Sequence, residues 1–245
     1  TLHAERIMQM GEDPRRVFSF GAPGLDSIYR EGLLSREASA RSLGLPYKTP
    51  WGVVTYHPET LKSDPAATVI KRILEAIEGR PDIYWVLTFP NADMENRSII
   101  TEIEEYVRAR PSRASLFQSL GRVRYLSLLK HAAVMVGNSS SGIIEAPSFE
   151  LPVVNIGERQ AGRLRSANVI DVHGRDRGDI SAAVDMALSK EYRDSLRGLK
   201  NPYGDGRASE RIVGVLKEIE LASIQIKHFY QPFFEQGACR GYRED

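Results

Sequence analysis

From Trp51 onward, short apolar runs alternate with segments of helical periodicity, and this alternation limits the architecture more than any other feature of the chain. The apolar runs lie at 52–56, 83–88, 114–118, 133–136, 153–156 and 169–172. Helices or short turns are expected between them at 65–78, 96–110, 122–131, 141–149 and 162–166, with a further helix at 179–188. Strands that are apolar throughout are buried on both faces. Strands separated by helices call for right-handed crossovers and a parallel sheet covered on both sides. The expected fold class is α/β: a Rossmann-like doubly wound parallel sheet, in one domain at 45–205.

The flanks break the pattern. Residues 1–10 read as a helix, 16–20 as one short strand, Gly21-Ala-Pro-Gly24 as a turn and 35–43 as a helix. A lone strand leaves its backbone groups unpaired, so 16–20 is expected to complete a sheet whose other strands lie outside this sequence. A start at threonine fits a piece of something longer. Residues 1–44 therefore read as the remnant of an N-terminal domain and its connection. Residues 206–245 hold a helix at 208–221 and an aromatic tail (Phe229, Tyr230, Phe233, Phe234), expected to pack toward that missing domain.

Charge and composition narrow the partners. The 33 basic and 32 acidic residues leave a net charge of +1, so no positive field favours nucleic acid or an anionic membrane surface. No run of about 18 apolar residues suggests a membrane span. The single cysteine, Cys239, cannot form an internal disulfide, and the first residues lack a signal-peptide layout; the expected location is the cytoplasm.

The most informative segment is 137–148, Gly-Asn-Ser-Ser-Ser-Gly-Ile-Ile-Glu-Ala-Pro-Ser. A strand, a turn of small hydroxylated residues and a helix start is an arrangement by which α/β proteins hold phosphate. The first helical turn leaves up to four backbone N–H groups unpaired, at the positive end of the helix dipole. The competing reading is that a serine merely caps the helix. Topology bears on the choice. In the strand order 3-2-1-4-5-6, strands one and four are neighbours, and ligands bind at their carboxyl ends. Strand one ends at Tyr56-His57, strand four at Asn138 and Ser139–Ser141, so the histidine and the serine turn should converge. Strand two ends at Thr88-Phe-Pro-Asn91-Ala-Asp93, a polar loop at the same edge. Glu145 follows one turn into the helix, either as a solvated residue or as a carboxylate for a ribose diol. No Gly-x-Gly-x-x-Gly fingerprint follows strand one, and His57 lacks further ligands at metal-binding spacing. No cofactor or metal is expected.

Tyr56-His-Pro-Glu-Thr60, Thr88-Phe-Pro-Asn-Ala-Asp93, the segment 137–148, Leu151-Pro-Val-Val-Asn-Ile-Gly-Glu-Arg-Gln-Ala-Gly-Arg163 and Asn201-Pro-Tyr-Gly-Asp-Gly-Arg-Ala208 together resemble the non-phosphorylating UDP-N-acetylglucosamine 2-epimerases across about residues 1–221. The likeness is greater to the hydrolysing branch, which opens sialic acid synthesis. The non-hydrolysing bacterial enzymes carry His-Arg-Arg-Glu-Asn where this chain has His-Pro-Glu-Thr. The resemblance implies the C-terminal half of a glycosyltransferase type B (two-Rossmann) fold, with the active site between the halves. It implies that His57 contacts the diphosphate and sugar as a catalytic residue, that Ser139, Ser140 and Ser141 hold phosphate oxygens, and that Glu145 meets the ribose. Arg159 would lie near the phosphates and Asn91 on the sugar side. The implied reaction converts UDP-N-acetylglucosamine to N-acetylmannosamine and UDP in a homo-oligomeric parent protein. The family's acid/base carboxylates belong to the N-terminal half, so this chain alone is expected to bind UDP without turnover. The alternatives are a type B glycosyltransferase using a nucleotide-sugar donor and an inactive nucleotide-binding fragment.

Overall fold

The computed structural model describes residues 1–59 and 64–230; Thr60, Phe233, Phe234 and Cys239 lie outside the described residues. In chain order the helices and strands are α1 (Leu2–Gln9), α2 (Asp26–Arg30), α3 (Arg36–Leu43), β1 (Trp51–Thr55), α4 (Ala66–Glu78), β2 (Tyr84–Thr88), α5 (Asn96–Ala109), β3 (Ala114–Phe117), α6 (Arg122–His131) and β4 (Val134–Gly137). They continue as α7 (Ser140–Ile144), β5 (Val153–Ile156), β6 (Val169–Val172), α8 (Arg177–Leu188), α9 (Lys190–Ser195) and α10 (Ala208–Glu218). All six strands pair in parallel in the order β3-β2-β1-β4-β5-β6, the doubly wound arrangement expected from the alternation.

Every residue of β1, β2, β4 and β5 is buried, as strands covered on both faces require. On one face α4 turns Val69, Ile70, Ile73 and Ile77 onto Val54, Trp85 and Val136, with α5 and α8 packed alongside. The other face is closed by α6 and α3, whose Leu128, Leu129, Ala40 and Leu43 meet Trp51, Val53, Val86 and Met135. No described helix is long and apolar enough to cross a membrane.

Two elements differ from the sequence reading. The helix expected over 141–149 stops at Ile144 and resumes as a 3-10 turn, Ala146–Phe149. Pro147 has no N–H to donate, and its ring crowds the carbonyl four residues back. The strand expected at 16–20 is absent. Asp13 caps a 3-10 turn at Pro14–Arg16, and the following segment pairs with no strand among the described residues. The rings of Phe18 and Phe20 instead stack on each other, with centroids 5.5 Å apart. The segment then turns inward: the Ala22 amide donates to the Tyr203 carbonyl at 2.7 Å. The buried Asp26 carboxylate accepts the Ala208 and Ser209 amides at 3.0 and 2.8 Å. It caps α10 from the opposite end of the sequence.

Candidate functional site

In the β1–β4 register Thr55 faces Gly137, which sets the carboxyl ends of the two strands level. Beyond that pair the chain leaves β4 through Gly137, at φ 136°, a value glycine adopts without penalty. Asn138 follows, fully buried, and bolts three loops together. Its Oδ1 accepts the His57 amide at 2.7 Å. Its Nδ2 donates to the His57 carbonyl at 2.9 Å and to Glu59 at 3.3 Å. Its own carbonyl accepts from Gln160 Nε2 at 2.7 Å and Arg159 Nη1 at 3.4 Å. The loops after β1 and β5 thus both bond Asn138, the first through its side chain and the second through its backbone carbonyl.

His57 is half-buried, and its Nδ1 accepts the Asn91 backbone amide at 3.0 Å, which brings the loop after β2 to the same place. Burial, with the Arg159 cation, pulls the His57 ring down to about 4 against the opposing charge of Asp93. Asn91 donates through Nδ2 to Asp93, and its Oδ1 is buried without a partner among the described residues.

Ser139 is the N-cap of α7, its hydroxyl accepting from the Ser141 amide at 3.3 Å. No described residue accepts from the Ser139 or Ser140 amide, so donors remain at this helix start. By contrast, the start of α4, where a dinucleotide-binding sheet would hold phosphate, is already taken. Glu95 accepts the Ala66 amide there at 3.0 Å, and its negative charge opposes an anion. Within α7, burial pushes the Glu145 carboxyl above its ordinary range; the Ser141 hydroxyl and the charges of Arg122 and Arg163 moderate this. Glu145 Oε2 is buried with no hydrogen-bond partner among the described residues. Burial also pushes the Tyr125 phenol up to about 12, beside the hydroxyls of Ser141, Ser139 and Thr55 and the Glu145 charge.

The topology thus joins His57, Asn91, Ser139 and Arg159 through Asn138 and the Asn91 amide. Ser140, Ser141 and Glu145 follow on the adjoining helix. Sequence reasoning did not single out Asn138, Gln160 or Tyr125. Asn138 directly follows a buried strand, and that polar residue was the available signal; Gln160 stands four residues past β5 and had none. Tyr125 lies outside every motif read from the sequence.

A cluster of donors (open amides, half-buried serine hydroxyls and the exposed Arg159 guanidinium) beside a carboxylate oxygen without a partner among the described residues can receive a ligand that carries both anionic oxygens and hydroxyl groups. The UDP-N-acetylglucosamine 2-epimerase family profile matches residues 1–217. The chain is 36% identical over 230 residues to the GDP/UDP-N,N'-diacetylbacillosamine 2-epimerase (hydrolyzing) of Campylobacter jejuni, covering 93% of this chain and 59% of that protein. It is 32% identical over 224 residues to the UDP-N-acetylglucosamine 2-epimerase of Neisseria meningitidis, covering 89% of this chain and 56% of the relative. It therefore spans little more than half the length of these relatives. Among solved structures, the UDP-GlcNAc 2-epimerase of Methanocaldococcus jannaschii in complex with UDP-GlcNAc and UDP superposes with a TM-score of 0.66 at 18% identity, over 87% of this chain and 58% of that one. The S. aureus MnaA–UDP co-structure gives 0.68 at 20%, over 94% and 60%. These two likenesses concern the fold. The extent of the family match and the level of identity to the curated relatives carry the assignment: the chain belongs to the UDP-N-acetylglucosamine 2-epimerase family.

Proposed function

We propose that this chain is the nucleotide-binding half of a hydrolysing nucleotide-sugar 2-epimerase. The observation that carries the reading is the open start of α7 beside Glu145, whose buried Oε2 has no partner among the described residues, at the edge where His57 and Arg159 converge. In this reading the Ser139 and Ser140 amides, the serine hydroxyls and Arg159 hold the diphosphate. Glu145 accepts from the ribose diol, and Asn91 and His57 lie on the sugar side. A base in the remainder of the parent protein removes the sugar C2 proton, and the C1–O bond to the nucleotide breaks in an anti-elimination. Water then adds across the resulting 2-acetamidoglucal, giving the free epimerised sugar and UDP. Donors around the diphosphate favour this step because charge builds on the leaving oxygen as the bond breaks.

The substrate we favour is UDP-N-acetylglucosamine, with N-acetylmannosamine as the product. The names of the C. jejuni and Legionella pneumophila relatives, the latter 34% identical over 220 residues, support UDP-N,N'-diacetylbacillosamine as a second reading. Both relatives are hydrolysing enzymes by name, which agrees with the His-Pro-Glu-Thr motif.

In the proposed architecture, 45–205 is the nucleotide-binding domain. Residues 1–44 and 206–245 connect to the rest of a type B fold, with a homo-oligomeric, cytoplasmic parent. The exposed Met10, Phe18 and Phe229 suit such a docking face. Product analysis tests the reading: the parent protein should release a free 2-epimerised sugar and UDP from one of the two substrates. Sugar transfer to an acceptor would replace it with a glycosyltransferase. The chain by itself should bind UDP in a calorimetric titration and turn over neither substrate.

A further inference from the structure

The two bonds between Asn138 and His57 have the form of a strand pairing. Thr55 and Gly137 are the last partners of the β1–β4 ladder, and the Asn138 amide still donates to the Thr55 carbonyl at 3.1 Å. One step further on, the Asn138 side chain takes the place of a strand. Its Oδ1 receives the His57 N–H and its Nδ2 serves the His57 carbonyl. Asparagine supplies donor and acceptor together at this reach. Aspartate would keep the first bond, lose the second, and set a carboxylate against Glu59. The Asn138 backbone is held in turn by Gln160 and Arg159, so the amide has a fixed base from which to act.

With the His57 backbone fixed, the ring meets the Asn91 amide through Nδ1. A peptide N–H always donates, so Nδ1 must present its lone pair. The proton of the neutral ring is then on Nε2. Charging the ring would add a proton at Nδ1, directly against the Asn91 N–H, and this bond would be lost. The charged groups that act on the ring are Arg159 after β5 and Asp93 after β2; Glu59, on the ring's own loop, accepts from the Glu158 amide and from Asn138. No described residue bonds Nε2.

We propose that Asn138 is a positioning residue which, with the Asn91 amide, holds His57 as a neutral ring protonated on Nε2, so that His57 offers the crevice a hydrogen-bond donor and never a base. The tautomer stands on this geometry alone; its use, donation to an oxygen of the departing diphosphate, rests on the function proposed above. The C2 base must then come from elsewhere in the parent protein.

Long-range nitrogen–proton NMR of the ligand-free chain tests the assignment, with the His57 signals identified by their loss in His57→Gln. At about pH 7 Nε2 should appear protonated and Nδ1 unprotonated, with titration well below the ordinary histidine value. In Asn138→Asp the ring should populate both tautomers and titrate at least about one pH unit higher, because the His57 carbonyl loses its donor, the ring is no longer held on the Asn91 amide, and a negative charge is added beside the His57 backbone. If that variant does not fold, Asn138→Ser, which keeps a single hydroxyl at the site, carries the same tautomer readout. A proton on Nδ1 in the wild-type chain, or a folded variant with unchanged tautomer, would overturn the proposal. Adding UDP should shift the Nε2 signal and leave Nδ1 unprotonated; an unmoved Nε2 in a chain that binds UDP would defeat the donor role. Absence of UDP binding by calorimetry would remove the function proposed above, while the ligand-free spectrum would still decide the tautomer.

Discussion

A Cβ on Gly137 would stand 2.0 Å from the carbonyl oxygen of Thr55, so β1 and β4 end at a separation that only glycine permits. The positive φ at Gly137 and this close approach act together: the turn must start at once for Asn138 to reach His57. Gly137→Ala should therefore combine steric overlap with backbone strain and lower stability by at least about 3 kcal/mol. Urea unfolding with an unchanged m-value would show this as a shift in midpoint. A loss below 1 kcal/mol, on the order expected for an ordinary surface site, would mean that the strands separate freely.

Ser139 and Ser140 should behave differently. Ser139 caps α7, so Ser139→Ala should lower stability by about 1 kcal/mol whatever the ligand. The Ser140 side chain bonds no described residue. Ser140→Ala should leave stability within about 0.5 kcal/mol. It should weaken UDP binding by about 1–3 kcal/mol if its hydroxyl meets a phosphate oxygen. Thermal melts beside calorimetric titration separate the two effects. Unchanged affinity in both variants would reduce the turn to a cap.

Glu145 is expected to trade stability for binding. Its carboxyl is raised by burial, so the folded state favours the protonated form and ionisation at neutral pH is destabilising. Glu145→Gln should raise the melting temperature near neutrality by about 2–4 °C, equivalent to about 1 kcal/mol. The gain should vanish as pH falls below the ordinary glutamate range, where the unfolded chain is protonated as well. UDP affinity should fall in the same variant. A destabilised Glu145→Gln would show that the ionised carboxylate is compensated in the fold.

His57 titrates with the opposite sense. Its folded value, about 4, lies below the ordinary 6.5, so the unfolded chain takes up the proton first. Stability should be unaffected above about 6.5 and should fall as pH is lowered from there through about 4. Subtracting the profile of His57→Gln isolates this contribution from general acid unfolding. Identical slopes for the two proteins between those limits would refute a neutral, buried ring.

Asp26 links the two ends of the chain by accepting both Ala208 and Ser209 amides. Asp26→Ala should release the first turn of α10, seen as faster hydrogen exchange at 208–212, while β1, β2 and β4 keep their protection. Uniformly faster exchange throughout would instead make Asp26 part of the global fold.

How much of this was readable before the fold was known depends on the range of each interaction. The strands at 153–156 and 169–172 and the helix at 122–131 match the structure residue for residue. In α4 local periodicity and solvent exposure point the same way, its buried positions recurring every three or four residues. The sheet order followed as well, because parallel strands joined by helices admit few handed arrangements. The convergence of His57 with the serine turn was a consequence of that order.

Residues 17–20 show where such reading ends. A strand is a relation between two segments, and an extended apolar stretch does not say whether a partner exists. The same holds within the site. Asn138 is one polar residue in a turn until the fold sets it against a loop 81 positions away. The low proton affinity of His57 comes from the loss of water and the Arg159 charge, brought to it from another loop. Local sequence chose the elements, because propensity and periodicity act over a few residues. Bonding partners, burial and protonation came from packing, because each depends on atoms that are neighbours only in space.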